Sequence, residues 1–414
     1  MGLGPSIKMT SLHHHDCPVT SLLMEDGDVD FAGVIVDGIS EVCDDKEHTA
    51  VRTSFMAEGM RADGAIVAID GWGNHHVDFV SVIEHLGRKG IPSVGLSYIG
   101  LQGRLVCSNE HVDTVVDFNK SESGYESCVV GQNELTGYDA MKAVALLKNK
   151  LRKRLARRYV DEGQTIVHRR LVRKTVRVEE VALGEETSLR RGVLTVRRGV
   201  ADGLLGPASR LKELHVDVIR PGDHDRHVNS NLDFMPVACK ASGALGEGVT
   251  HRLSGVTLML NGVEDVTGFQ PSNIGSSEGV LKERVAFGKA GTPAPDDWIL
   301  HVDALFKEGE GRTAEGIIEA HACADRILDE VRKTMRDVSD MAYATEELRD
   351  VEHVGKPRVV LVKLVSGLGN MYDTSLFPWE PAGWAGSRLM RLMGNMPVYL
   401  TGTQVRDGAI HSLL

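Results

Sequence analysis

Short apolar runs alternate with segments of helical periodicity between residues 29 and 150, and this alternation constrains the fold more than any other feature. The apolar runs at 29–38 and 65–69 have the composition of buried parallel strands, which are near-continuous hydrophobic stretches. Helix-like segments follow them at 41–60 and 76–90. The pattern predicts an N-terminal α/β domain of the flavodoxin or Rossmann type, with a doubly wound parallel sheet whose ligands bind beyond the carboxyl ends of the strands.

The second half of the chain has a different pattern. From residue 165 onward apolar and polar residues alternate, as at 193–196, which is typical of strands with one buried face. Helical patterns return later, and a buried strand is predicted at 358–365. We therefore expect two domains, at 1–155 and 156–414, and the second is predicted to be a mixed α/β domain with a β-rich beginning.

The charge balance of the chain is acidic. The chain has 47 Lys and Arg residues against 58 Asp and Glu residues, which gives a formal net charge of −11. An acidic surface repels phosphate backbones, so nucleic acid is not an expected partner. A dense basic run at 151–177 is the exception. We interpret it as a solvated helix end with a linker, and the alternative is a docking surface for an acidic partner subunit.

Cysteine content and hydropathy bear on the location of the protein. The six cysteines are too sparse to cross-link 414 residues, and no two of them form a Cys-x-x-Cys pair. We therefore expect a reducing, cytoplasmic environment. No apolar run approaches the length of a membrane span, so no membrane association is expected.

A glycine-rich loop with two histidines, at residues 71–78, follows the second predicted strand. Glycines allow a ligand to approach the backbone closely, and the helix that follows favours anions at its N-terminus. The alternative is that the polar residues only cap this helix. The expected substrate-binding residues are Gly73, Asn74 and His75, and the expected catalytic residues are His76 and Asp78.

The segment His13-His14-His15-Asp16-Cys17 contains imidazole, carboxylate and thiol groups, all of which bind zinc. On an extended strand His13 and His15 share one face, but adjacent residues rarely supply every ligand of one ion, so a further ligand is needed. We expect His13, His15 and His76 to be the ligands if a divalent metal, zinc or iron, is bound. The alternative is a polar, hydrogen-bonded segment close to the active crevice.

Two further glycine-rich loops contain polar residues. In residues 243–251, Glu247 and His251 are a candidate acid–base pair, and a hairpin with solvent-facing polar groups is the alternative. In residues 275–279, the backbone amides around Ser276 and Ser277 are expected to hold a small anion. Neither loop has the spacing of a nucleotide-binding P-loop.

The tripeptide His-Val-Asp occurs four times, at 76–78, 111–113, 215–217 and 301–303. The spacings between these occurrences are unequal, so they are not a structural repeat. On a strand, residues two apart project from one face, so the aspartate of a tripeptide is in position to orient the imidazole. Unrelated surface pairs have the same pattern.

Several longer phrases resemble the precursors of glycine reductase component B and D-proline reductase, which are selenoenzyme-type amino acid reductases. The resemblance covers residues 4–150 and 165–414, which is nearly the whole chain. The phrases that carry it are Gly71-Trp72-Gly73-Asn74-His75-His76-Val77-Asp78-Phe79, Val116-Asp117-Phe118-Asn119-Lys120-Ser121, Leu245-Gly246-Glu247-Gly248-Val249-Thr250-His251, Gly275-Ser276-Ser277-Glu278-Gly279, Ala290-Gly291-Thr292-Pro293, Asn395-Met396-Pro397-Val398 and Asp407-Gly408-Ala409-Ile410-His411.

The order of the two parts differs from that of the family. In the family the part similar to 165–414 comes first, and self-cleavage at a Thr-Cys-x-Gly-Pro junction converts the cysteine into a pyruvoyl group. Here Gly2-Leu3-Gly4-Pro5 matches the end of that junction, and Gly2 stands where the family has cysteine. The resemblance therefore implies a circular permutant without a self-made pyruvoyl group, the electrophile that would hold an amine as a Schiff base.

The resemblance implies an oxidoreductase that acts on a small amino-acid-like or amine substrate by reductive bond cleavage. Without a pyruvoyl group, a metal or the thiol or selenol of a partner subunit would supply the activation, so a homo- or hetero-oligomer is expected. Two alternatives remain open. One is a non-catalytic scaffold subunit of a reductase complex, and the other is a metal-dependent hydrolase or lyase on a related substrate.

Overall fold

The structure is a computed structural model that describes residues 15–39, 43–69, 75–97, 106–119, 129–132, 134–155, 163–264, 278–311, 313–365 and 397–409. Helices and strands alternate in the first part, and strands dominate the second, so the expected α/β fold class is confirmed. Within the described residues, no helix is both long enough and apolar enough to cross a membrane.

The first sheet has six strands. They are β1 (Asp30–Gly38), β2 (Gly64–Ile69), β3 (Ser93–Ser97), β4 (Val115–Asp117), β16 (Arg358–Val365) and β17 (Val398–Leu400). Their order is β17-β1-β16-β2-β3-β4, and every neighbouring pair is parallel except β17 with β1. Every residue of β2 and β3 is buried, which explains why these strands are apolar on both faces.

Helices cover both faces of this sheet, as the doubly wound prediction requires. They are α1 (Pro18–Glu25), α2 (Cys43–Gly59), α3 (His75–Arg88) and α4 (Gly137–Leu155). Apolar residues of α1 and α4 pack with one face of the sheet, and those of α2 and α3 pack with the other. The predicted strands and helices of this part agree with the structure within a few residues.

The first sheet also takes strands from the end of the chain. β16 lies between β1 and β2, and β17 lies at the edge beside β1. The predicted division at residue 155 assigns both strands to the region 156–414. Because a buried parallel strand is apolar whichever strands flank it, the sequence pattern cannot identify its neighbours.

The strands of the second sheet are β5 (Thr165–Arg177), β9 (Leu211–Ile219), β11 (Ser230–Ser242), β12 (Gly248–Glu264), β14 (Trp298–Phe306) and β15 (Tyr343–His353). Their order is β15-β5-β12-β14-β9, with β11 paired to β12. Helix α6 (Ala314–Thr334) packs against the face that contains Leu258, Leu300 and Val302. The remaining elements are β6 (Glu180–Gly184), β7 (Ser188–Arg190), β8 (Val193–Arg197), β10 (His227–Val228), β13 (Gly279–Val280), α5 (Leu281–Arg284) and α7 (Gly402–Arg406).

Much of the basic run lies in β5, where it faces the acidic strand β15. Arg173 is buried and its Nη2 lies 2.5 Å from an oxygen of Glu346, and the Nε2 of His168 lies 2.9 Å from Glu352. Residues 165–177 are therefore strand rather than linker or helix end, and acidic side chains of the same chain neutralise several of them. The exposed pairs of this kind contribute about 0–1 kcal/mol each.

Candidate functional site

Polar side chains gather on one face of the first sheet, near the carboxyl ends of its parallel strands. We define the crevice cluster as Asp37, Lys46, Thr53, His76 and Asp78. Asp37 is the second-last residue of β1, Lys46 and Thr53 lie on α2, and the other two residues lie in the first turn of α3. Ligands of open α/β sheets bind at this edge, so the cluster lies where the sequence predicts a site.

A buried ion pair holds Asp78. The Nζ of Lys46 lies 2.5 Å from the Oδ2 of Asp78, and both side chains are only 3% exposed. Asp78 is thus held by α2 rather than acting only as a cap of its own helix. A buried pair of opposite charges keeps both groups ionised, since either charge alone would be costly.

Asp37 is the carboxyl of the crevice cluster whose pKa is raised. Thr53 donates a hydrogen bond of 2.6 Å to its Oδ2, and its Oδ1 is buried without a hydrogen-bond partner. Burial, with a smaller contribution from the charge of Asp78, raises the pKa of the Asp37 carboxyl to about 7. Near neutral pH this carboxyl is therefore poised to hold or release a proton.

The two histidines of the predicted loop differ in their surroundings. His76 is buried, its ring lies 5.1 Å from that of Phe79, and burial lowers its pKa. His75 is half-buried at the start of α3. Both therefore begin the helix at the predicted crevice, while Gly73 and Asn74 lie outside the described residues.

A second polar group, which we call the Asp16 cluster, lies between the two sheets. Asp16 precedes α1 and contacts three arginines, which come from β5, β12 and α7. The distances from its carboxylate oxygens are 3.4 Å to Arg173, 3.3 Å to Arg252 and 3.6 Å to Arg406. Arg173 also donates to the backbone carbonyl of Arg406 over 2.8 Å. The cluster thus ties both sheets to the segment that precedes α1.

His15 lies fully buried beside this cluster. Burial lowers its pKa to about 4, against the opposing effect of Asp16, so its imidazole is neutral at physiological pH. A Cβ at Gly408, whose φ is +78°, would come within 3.1 Å of the His15 ring. The close approach and the positive φ together require glycine there.

The predicted metal site is not assembled by the described residues. They include no group of three or more His, Cys, Asp or Glu side chains placed to hold a metal ion. His15 lies against Gly408, whereas His76 packs against Phe79 of its own helix. His13 lies outside the described residues, so zinc or iron binding stays a prediction, and no step is derived through a metal.

The predicted pair Glu247 and His251 is separated in the structure. Glu247 is exposed, whereas His251 is buried in β12 with its Nδ1 2.7 Å from the carbonyl oxygen of Met335. The buried carboxylate of this region is Asp407, which pairs with Lys240 at 2.5 Å. The catalytic roles of Glu247 and His251 stay predictions. Ser276 and Ser277, which are predicted to hold a small anion, lie outside the described residues.

A cavity of about 300 Å³ opens beside the Asp16 cluster. Its charged lining residues are Asp16, Arg177, Arg252, Lys289 and Asp297. The phrase Ala290-Gly291-Thr292, which carries part of the resemblance, also lines it. Burial raises the pKa of Asp297, and the Nε of Arg252 is buried without a hydrogen-bond partner. The cavity therefore offers groups of both charge signs to a small ligand.

Sequence reasoning missed Asp37, Lys46, Lys240 and Asp407. The available signal was a charged residue inside an apolar run, as with Asp37 after Val34-Ile35-Val36. A lone charged residue in a predicted buried strand needs either an oppositely charged partner or a pKa shift that neutralises it. Both arrangements are found at functional sites. Nothing in the spacing pairs Lys240 with Asp407.

Fold and clusters together define an α/β protein with two six-stranded sheets, a small cavity lined by charged residues, and buried ionisable groups. The chain belongs to the family of glycine/sarcosine/betaine reductase component B subunits, whose model matches residues 3–126 and 169–412. The resemblance inferred from the sequence is thereby confirmed. The permuted order and the absence of a pyruvoyl group stay predictions, because residues 1–14 and 410–414 lie outside the described residues.

Individual relatives are components of amino acid reductase complexes. The D-proline reductase proprotein of Acetoanaerobium sticklandii is 30% identical over 253 residues, which are 61% of this chain and 40% of that protein. The sarcosine reductase complex component B subunit alpha of Peptoclostridium acidaminophilum is 25% identical over 259 residues, 57% of this chain and 54% of that subunit. The chain thus spans less than two thirds of the length of these relatives. No solved structure matches it.

Proposed function

We propose that this chain is the substrate-binding component of a reductase that cleaves a small amino acid or amine without a self-made pyruvoyl group. The observation that carries the proposal is the cavity beside the Asp16 cluster. Its volume of about 300 Å³ is at the lower end for ligand pockets, which suits a molecule of a few heavy atoms.

The charges of the cavity suit a zwitterion. A guanidinium forms paired hydrogen bonds with a carboxylate, and the Nε of Arg252 has no protein partner to compete for it. Asp16 and Asp297 are the carboxyl groups nearest to an amine placed in the same cavity. The relatives are named for D-proline, sarcosine, betaine and glycine, all of which carry a carboxylate and a nitrogen on the same carbon atom.

Reductive cleavage of a carbon–nitrogen bond takes two electrons and two protons, which a dithiol supplies when it forms a disulfide. Among the described cysteines, Cys17, Cys239 and Cys323 are buried, Cys107 is partly buried and Cys43 is exposed, so the described residues offer no pair of exposed thiols to form a disulfide. A thiol or selenol on a partner subunit is therefore the expected reductant.

The test is binding and turnover of the four named compounds by the full chain. We expect calorimetry to detect saturable binding of at least one of them, and we expect Arg252→Met to weaken it about 10- to 100-fold, because a charged hydrogen bond is lost. Arg198→Met, which removes an exposed arginine that does not line the cavity, is the matched control and should bind like the parent.

Turnover distinguishes the reductase from the alternatives. Product formation that requires both a dithiol and the thiol- or selenol-bearing subunit supports the proposal. Product formed without any reductant would instead indicate a hydrolase or lyase. Binding of none of the four compounds, with no turnover in the complex, would leave a scaffold and refute the proposal.

A further inference from the structure

Two of the four His-Val-Asp tripeptides pair with each other in the second sheet. Strands β9 and β14 are antiparallel, and their register places His301 opposite Asp217 and Asp303 opposite His215. The intervening residues Val302 and Leu300 pack in the core beneath α6. Because side chains alternate along a strand, the histidines and aspartates project from the opposite face of the sheet.

His301 is held in one orientation by Asp217. The Nδ1 of His301 lies 2.8 Å from the Oδ1 of Asp217, whose Oδ2 accepts a hydrogen bond of 2.6 Å from Arg226. Burial opposes ionisation of Asp217, but the hydrogen bonds from His301 and Arg226 outweigh it and keep its pKa at about 2. The carboxylate is therefore ionised, and a neutral imidazole that donates to it through Nδ1 presents Nε2 as an acceptor.

The next two side chains on this face are fixed in the same manner. Asn261 on β12 is the register neighbour of Asp303 on β14. Asn229 joins them, because its Nδ2 donates to the Oδ2 of Asp303 over 2.6 Å and its backbone carbonyl accepts from the Nδ2 of Asn261 over 2.7 Å. One polar atom of each side chain is thus occupied by the protein.

The other polar atom of each side chain is unpartnered. The Nε2 of His301, the Oδ1 of Asp303 and the Oδ1 of Asn261 are all buried without a hydrogen-bond partner. His301 is 4% exposed and Asn261 is 0% exposed. Buried polar groups are nearly always paired, so three unpaired acceptors on neighbouring positions are an unusual arrangement in a folded protein.

We propose that His301, Asp303 and Asn261 form a second ligand site, which binds a primary ammonium group. Three acceptors match the three N–H donors of an alkylammonium, and the carboxylate of Asp303 balances its charge. Asp217 and Asp303 are both partly exposed, so the site borders solvent. It shares no residue with the cavity that contains Arg252.

A bound metal ion suits this site less well than an ammonium group. The described His, Cys, Asp and Glu side chains include no group of three placed to hold a metal. Asn261 supplies an amide oxygen, which binds hard cations rather than the zinc that imidazole favours. The three N–H groups of a primary ammonium can donate to the imidazole, the carboxylate and the amide oxygen alike.

The experiment compares two cations of equal charge on the full chain. Methylammonium chloride should bind saturably by calorimetry and shift the NMR signals of His301 in histidine-labelled protein. Tetramethylammonium, which has no N–H donor, should do neither at the same ionic strength. Equal responses to both cations, or no response to methylammonium, would overturn the proposal without requiring any variant to fold.

Variants add a second test. Asp303→Asn should weaken methylammonium binding at least tenfold, whereas His215→Gln, at an exposed neighbour on the same strand pair, should leave it unchanged. Arg252→Met should also leave it unchanged, so failure of the proposed amino acid cavity and failure of this site are distinguishable. Unchanged binding in a folded Asp303→Asn protein would contradict the assignment.

Discussion

Replacement of Asp407 by alanine is expected to lower the free energy of unfolding by about 3–5 kcal/mol, the range for breaking a buried ion pair. Its carboxylate pairs with Lys240 at 2.5 Å, and both side chains are 0% exposed. It also accepts a bond of 2.7 Å from the backbone amide of Gly246 and another from the hydroxyl of Thr250. Alanine would leave the Lys240 ammonium buried without a counter-charge.

Urea unfolding followed by circular dichroism measures this effect. Glu247→Gln is the matched control, since it removes a carboxylate in the same region from an exposed position and should change stability by less than about 0.5 kcal/mol. The double variant Lys240→Met/Asp407→Leu should recover much of the loss, because it removes both charges together. Equal stability of Asp407→Ala and Glu247→Gln would show that Asp407 does not hold a buried charge.

The Asp407 network also has a structural consequence for the site. Asp407 follows α7, the helix that comes after β17 of the first sheet, whereas Lys240 and Thr250 lie in β11 and β12 of the second. Arg406 next to it belongs to the Asp16 cluster. Loss of the ion pair should therefore loosen the contact between the end of α7 and the second sheet, next to the Asp16 cluster.

Local elements were predictable because their signal lies in neighbouring residues. The strands at 30–38 and 64–69 follow from apolar runs, and the helix at 75–88 follows from helical periodicity. The position of β16 between β1 and β2 was not predictable, since it depends on contacts across some 300 residues. Lys363 within that strand interrupts a run of valines and leucines, so the sequence indicates a polar group in a buried position. In the structure Lys363 is fully buried.

The residues of the candidate site differ in the same way, since those with a local signal were predictable and those held by distant partners were not. His76 and Asp78 were predictable because loop, strand and helix start are adjacent in sequence. Their partner Lys46 was not, because its helix shows only weak amphipathic patterning and a lysine there is expected to face solvent. The pairing of His301 with Asp217 was not predictable from the two tripeptides alone. It depends on the antiparallel register of β9 and β14, which places the two side chains opposite each other.

Asp37→Asn is expected to stabilise the protein more at high pH than at low pH. The folded carboxyl has a pKa of about 7, whereas an unfolded aspartate titrates near 4. Between these values the unfolded chain releases a proton that the folded protein retains, so the stability of the parent falls as pH rises. Asparagine does not titrate and keeps the hydrogen bond from Thr53, so the variant lacks this fall.

The size of this stability difference follows from the width of the pH range between the folded and unfolded pKa values of Asp37. The stability difference between variant and parent should grow by about 3 kcal/mol between pH 4.5 and pH 8, since each pKa unit is worth about 1.36 kcal/mol. Urea midpoints at three pH values measure it, with Asp340→Asn as the control for an exposed carboxylate. A constant difference would mean that Asp37 is already ionised when folded.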